Sequence, residues 1–241
     1  MSKWSDVKIY DLSIPIGVNC PPWPTYEPVQ MKFFKRLSSN GANGQILTHS
    51  NHVGTHLDGP LHFDTSGRTV DQLELTKLVR PGVVVDLTDA PCCEDFGIYT
   101  PEMIEERVEV REGDILIINT GYHKYGWDSP EADEQRYMVR HPGPSLSFVK
   151  WCQDKKIAWI GVDCGSADHP MNTKIRDWCP MDAAKCDQYS SSLTAPIPSP
   201  RRTPDSWPMI YFTICPRTRP LTARAETICS LPARRWSSRI R

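Results

Sequence analysis

The sequence predicts an α/β protein, and three observations carry that expectation. Short, continuously apolar runs at residues 82–88, 114–120 and 157–163 read as strands buried on both faces. Helix signals at residues 100–108 and 145–155 alternate with those strands. Glycine- and proline-rich turns separate the elements, and no internal repeat is present.

Taken in order, residues 7–12 (Val-Lys-Ile-Tyr-Asp-Leu) read as a first strand, closed by Ser13-Ile14-Pro15. The loop Cys20-Pro21-Pro22-Trp23-Pro24 is stiffened by its prolines. Trp23 on it is either a pocket wall or an ordinary packed surface tryptophan. Residues 29–37 form a candidate strand, and residues 45–51 a second that leads into a histidine-rich run. Thr100-Pro101-Glu102 opens the first clear helix, with Thr as N-cap and Pro in the first turn. The helix at 145–155 is amphipathic, with Leu146, Phe148, Val149 and Cys152 on its apolar face.

A chain of 241 residues is one domain or two small ones, with room for a substantial core. With 28 basic and 29 acidic residues, the charge balance calls for neither nucleic acid nor a membrane surface as partner. Residues 1–6 carry no apolar run of signal-peptide type, and no segment approaches the roughly 20 apolar residues of a membrane span. The nine cysteines are scattered, with only Cys92 and Cys93 adjacent and no C-x-x-C. A disulfide framework and a structural zinc knuckle are not expected, and a reducing cytoplasm fits best.

The character of the chain changes near residue 187. No glycine follows Gly165, and residues 190–241 are rich in Pro, Arg, Ser and Thr. The expected organisation is a domain over residues 1–187 and an atypical Pro/Arg/Ser-rich segment over 188–241. That segment reads as an arm, an oligomer contact, a partly disordered tail or the product of a coding-frame change.

The chemistry concentrates in His52-Val-Gly54-Thr55-His56-Leu-Asp58-Gly59-Pro60-Leu-His62-Phe63. Three of the seven histidines and one aspartate fall within eleven residues, all at even positions. In an extended segment that parity puts them on one face. A fully extended chain would hold His52 and Asp58 roughly 20 Å apart, so ligation of one ion requires a sharp bend. Gly54, Gly59 and Pro60 supply it. Two imidazoles and a carboxylate suit Zn²⁺, Mn²⁺ or Fe²⁺ and leave positions open for water and substrate. His62 is expected beside the ion as general base or proton shuttle, with a structural role as the alternative.

A second constellation, Gly161-Val-Asp163-Cys164-Gly165-Ser166-Ala-Asp168-His169-Pro170, follows a predicted strand. Asp163, Asp168 and His169 either hold a second metal, orient the first site, or cap a turn; Ser166 is a candidate substrate contact. The loop is expected to border the pocket. His49, His123 and His141 read as solvated or structural. Cys164 lacks a base partner and is a poor nucleophile candidate.

The run from His52 to Phe63 resembles the metal-dependent cyclase family, which includes bacterial kynurenine formamidase and isatin hydrolase. Supporting matches are Asp11-Leu12-Ser13-x-Pro15, Asn119-Thr120-Gly121 and Gly161-x-Asp163, so the resemblance spans roughly residues 7–185. It implies a swivelling β/β/α domain with a mixed sheet or barrel-like core and flanking helices. It also implies His52, His56 and Asp58 as metal ligands, His62 as the catalytic histidine, hydrolysis of a small aromatic amide or lactam, and a homodimer or homotetramer whose subunits help close the pocket. Two-metal members carry a His and then a Glu-Asn pair near the C-terminus. Here Glu226-Thr227 echoes the pair, but Thr213-Ile214-Cys215 stands where the His is expected, and Asn119 stands where Arg is common. One ion, Mn²⁺ or Zn²⁺, is therefore expected. The rival readings are a non-haem Fe(II) oxygenase with a two-His-one-carboxylate site and a catalytically impaired metal- or ligand-binding homologue.

Overall fold

A computed structural model of the chain describes residues 9–189 and the strands Tyr211–Thr213 and Ala223–Cys229. The strands, in chain order, are β1 (Gln30–Lys35), β2 (Gly44–Thr48), β3 (Val79–Asp86), β4 (Ile98–Tyr99), β5 (Ile115–Asn119), β6 (Gly143–Pro144), β7 (Trp159–Val162), β8 (Tyr211–Thr213) and β9 (Ala223–Cys229). A five-stranded sheet of order β8-β7-β5-β3-β9 forms the centre. In it β3, β5, β7 and β8 are parallel and β9 runs antiparallel to β3. The sheet is open, with no closed barrel among the described residues, so the mixed-sheet form of the expectation is the one observed.

The apolar runs form this sheet because both of its faces are covered. All five residues of β5 and all four of β7 are buried. Side chains alternate across a strand, so Val83, Leu116, Ile118, Ile160 and Val162 meet Phe148 and Cys152 of the helix Leu146–Asp154 on one face. Ile115, Ile117 and Trp159 pack with Leu73 on the other. The helix Pro101–Glu105 covers the first face through Ile104, and its N-cap is the expected one, the Thr100 hydroxyl accepting from the Met103 N–H at 3.4 Å.

The strand expected at residues 7–12 and the apolar placement of Leu146 are corrected. Residues 9–12 form no strand, Ile9 is 78% exposed, and residues 7–8 lie outside the described residues. Beyond them the backbone is spent on side chains instead of a ladder: the Ile14 N–H donates to the Thr55 hydroxyl at 2.9 Å, and the Pro15 carbonyl accepts from the Trp127 indole at 2.9 Å. Residues 29–37 and 45–51 give β1 and β2, which pair antiparallel in their own two-stranded sheet. Leu146 is exposed; at the first helical position its side chain points back past the end of the helix. The helix Pro180–Tyr189 runs across the expected boundary at 187, and the C-terminal segment supplies both edge strands of the central sheet, β8 and β9.

Candidate metal centre

Between β2 and the 3₁₀ turn Pro60–His62 the chain is irregular, and this is where the histidine run lies. Gly54 makes the bend, with φ +64°, and a side chain there would meet Ile16 Cγ1 at 2.8 Å. At Gly59 the backbone is extended, and glycine serves there because the Val70 side chain approaches too closely for a Cβ. The proline-rich loop is tied to the run, since the Trp23 N–H donates to the His52 carbonyl at 3.2 Å and Pro22 bridges Val53.

The bend brings three donor atoms together. Nδ1 of His52 lies 2.8 Å from Oδ1 of Asp58, and Nε2 of His56 lies 3.4 Å from the same oxygen. The two ring nitrogens are 3.3 Å apart. One ligand atom from each of the three residues falls within 4.8 Å of the others, the only such group among the described residues. Nδ1 of His56 sits 2.8 Å from the Gly54 carbonyl, which only accepts, so Nδ1 carries the proton and Nε2 turns its lone pair to the cluster.

This donor set fits a divalent ion. Asp58 Oδ1 is buried and, despite the close nitrogen, has no hydrogen bond of acceptable geometry. An acceptor oxygen facing an imidazole lone pair without a cation between them is unfavourable. Burial alone pushes the Asp58 carboxyl up, but His52 and His56 outweigh it and hold it well below the usual carboxylate range. Burial likewise opposes charge on His56, and the Asp58 carboxylate beside it wins, raising that imidazole.

His62 stands next to the cluster, its ring centroid 3.9 Å from that of His52 and tilted by 33°. The turn that carries it is closed by its own N–H on the Gly59 carbonyl at 3.0 Å. All four residues open into a cavity of about 460 Å³. Trp23, Tyr26, Phe63, Trp127, Tyr137 and Trp178 supply its aromatic walls, with Tyr26 edge-on to His52. Trp23 is thus a pocket wall. Trp127, Tyr137 and Trp178 carry no sequence signal of this role. Cys20 also lines the cavity, but burial pushes its thiol up to about 12, which keeps it neutral.

The second constellation divides. Gly165, Ser166 and Asp168 border the cavity as expected, and the Ser166 hydroxyl caps the turn by accepting from the Asp168 N–H at 3.1 Å. Asp163 does not join the metal cluster. Fully buried, it accepts from the Thr120 N–H at 2.9 Å, the Thr120 hydroxyl at 2.7 Å and the Gly121 N–H at 2.8 Å, and it pairs with His123 Nδ1 at 2.9 Å. Nor does His169, whose Nε2 lies 3.0 Å from the Phe96 carbonyl while Nδ1 accepts from the Met171 N–H. Both residues are spent on structure, so a second ion at these positions has no support. His141 is buried, with Nδ1 2.9 Å from the Pro142 carbonyl; His49 is exposed beside the Ser50 carbonyl. Glu226 lies on β9, and Ile214 and Cys215 lie outside the described residues.

Comparison with known proteins finds relatives of this chain in sequence and in fold. The Cyclase family model matches residues 10–169. A kynurenine formamidase of Geobacillus thermodenitrificans is 32% identical over 175 residues, covering 72% of this chain and 74% of that protein. The kynurenine formamidase of Bacillus cereus is 29% identical over 175 residues, covering 72% and 73%. Among solved structures, an isatin hydrolase bound to the product analogue thioisatinate superposes with a TM-score of 0.61 at 19% identity, covering 84% of this chain and 78% of that one.

Proposed function

The chain belongs to the cyclase family, and from that membership we propose that it is a metal-dependent hydrolase that cleaves the C–N bond of a small aromatic amide or lactam. N-formylkynurenine and isatin are the reference substrates, because the similar proteins are kynurenine formamidases and an isatin hydrolase. One observation carries the reading: three metal-competent donor atoms within 4.8 Å of one another, on residues that line an aromatic-walled cavity. The swivelling β/β/α architecture is the finer form of the fold we adopt.

His52, His56 and Asp58 are the proposed ligands of one ion, Mn²⁺ or Zn²⁺. Bound there, it would supply Lewis-acid polarisation of the amide carbonyl and a water of lowered pKa. The residues do the rest. His62, beside His52, takes the proton from the attacking water and returns it to the departing nitrogen. Trp23, Tyr26, Phe63 and Trp127 hold a flat substrate and keep bulk water off the reacting bond. The Fe(II) oxygenase alternative is not favoured by the comparisons.

Two further expectations stand as proposals. A homodimer or homotetramer is supported by the exposed apolar residues of the β1–β2 sheet and the turn joining its strands, Phe34, Leu37 and Ile46. A reducing cytoplasm is supported by the seven described cysteines, all free. The deciding experiment supplies the purified chain with Mn²⁺ or Zn²⁺ and follows N-formylkynurenine and isatin by absorbance. Metal-dependent turnover of either, or of a related small aryl amide, is the expected result. Tight metal binding with no turnover across an amide and ester panel would instead favour the impaired homologue.

A further inference from the structure

The one pair of adjacent cysteines in the sequence brings two thiols together in a place the hydrolase site does not use. Cys92 and Cys93 are free thiols with their Sγ atoms 4.0 Å apart. Two thiolates on one tetrahedral ion, each at about 2.3 Å from it, stand roughly 3.8 Å apart. The pair is therefore already at the spacing that one ion requires.

The loop between β3 and β4 holds that spacing. The Ala90 N–H donates to Leu87, the Cys93 N–H to Ala90 and the Gly97 N–H to Glu94. A side chain at Gly97 would run into the Cys92 carbonyl, so the loop closes directly on the Cys92 backbone. The Phe96 N–H, donating to the Arg140 carbonyl at 2.7 Å, fixes the far end. Access is one-sided: Cys92 is 6% exposed, while Cys93 lines an open cleft of about 1070 Å³, also lined by Asp95 and His123, apart from the aromatic cavity.

We infer that Cys92 and Cys93 form a binding site for a thiophilic divalent cation, separate from the His52, His56 and Asp58 centre. Ligand chemistry sorts the two sites. Imidazole and carboxylate suit borderline and hard ions, and paired thiolates select soft ones. Both thiols lose their protons to solvent as two sulfur–metal bonds form, with no change of oxidation state. The two thiols are unequal: the hydrogen bond they share favours the Cys92 thiolate and, with burial, holds Cys93 well above the ordinary thiol value, so the Cys93 proton is the one the metal must displace. The Cys93 thiol hydrogen-bonds to Cys92 and lowers it against its burial, helped by the Arg107 guanidinium.

Cd²⁺ is the probe, because thiolate-to-cadmium charge transfer gives an ultraviolet band that imidazole and carboxylate ligands do not. The full chain, reduced and kept in excess Mn²⁺, is titrated with Cd²⁺. One equivalent per chain should develop the band. Cys92→Ser and Cys93→Ser should each weaken it at least tenfold, and Cys179→Ser should leave it unchanged. A band that survives in either of the first two variants, or disappears in the third, overturns the assignment. A measurement on the unaltered chain guards against misfolded variants: Cd²⁺ should protect Cys92 and Cys93 from iodoacetamide, read by peptide mass spectrometry. Equal alkylation of both with and without Cd²⁺ overturns it as well.

Discussion

Nδ1 of His52 stands 2.8 Å from Oδ1 of Asp58, although six positions separate them in a chain that would span roughly 20 Å if extended. The positive φ of Gly54 and the turn at Pro60 fold that span onto one point. The result is a buried carboxylate oxygen with no hydrogen bond of its own, faced by one ring nitrogen from each of two imidazoles. A cation relieves that arrangement, so the site's stability and its chemistry are linked.

Metal removal tests the link. Chelation should lower the melting temperature and abolish turnover, and Mn²⁺ or Zn²⁺ should restore both, since a ligand bound only by the folded state stabilises it. Asp58→Ala should retain less than about a tenth of the wild-type metal, measured by inductively coupled plasma mass spectrometry, because it removes the one anionic ligand. A variant that keeps full metal content would exclude Asp58 from the ligand set.

His62→Ala separates proton handling from metal binding. Its ring touches His52 but does not belong to the three-donor group. Turnover should fall by about 10²–10⁴, the usual worth of a positioned acid–base group, while metal content stays at the wild-type level. Full activity in this variant would refute the proton role, and loss of metal would make His62 a ligand.

Asp163→Ala addresses the structural half of the second constellation. The carboxylate takes the Thr120 N–H and hydroxyl and the Gly121 N–H, and it pairs with His123. Removing it strands buried donors, so unfolding in urea should show a loss of about 3 kcal/mol or more. Metal affinity should remain, because none of these groups reaches the His52 cluster. A silent substitution would contradict the anchoring role.

What was legible in the sequence follows from where the signal is local. The runs that became β3, β5 and β7 are apolar on both faces because helices or loops cover both, and no other placement suits them. The His52–Asp58 cluster was legible because its donors and its bend-makers share one short run. Within the strand expected at residues 7–12, residues 9–12 form none, because local sequence does not reveal that the backbone just after them bonds to Thr55 and Trp127. Trp127, Tyr137 and Trp178 reach the cavity only through tertiary packing, which leaves no spacing in the chain. Asp163 and His169 stay open between ligand and turn-cap in the sequence, because a carboxylate or imidazole that caps a turn has the same composition as one that binds a metal.

Two buried histidines should make the fold less stable in acid. His141 and His169 are fully buried, and burial pushes both below the ordinary imidazole value of 6.5, His141 to about 4. A group held lower in the folded state is protonated first in the unfolded chain, so acid favours unfolding. Above pH 6.5 both states are neutral and the histidines contribute no pH dependence. As pH falls from there toward 4, the unfolded chain takes up protons that the folded one refuses, and stability drops. For His141 alone the loss by pH 5 is about 2 kcal/mol. Urea unfolding of the chelated protein between pH 7.5 and 5 should show that decline, and His141→Gln should flatten it, whatever its effect at neutral pH. Equal slopes for the two proteins would show that His141 takes up its proton in the folded chain as readily as in the unfolded one.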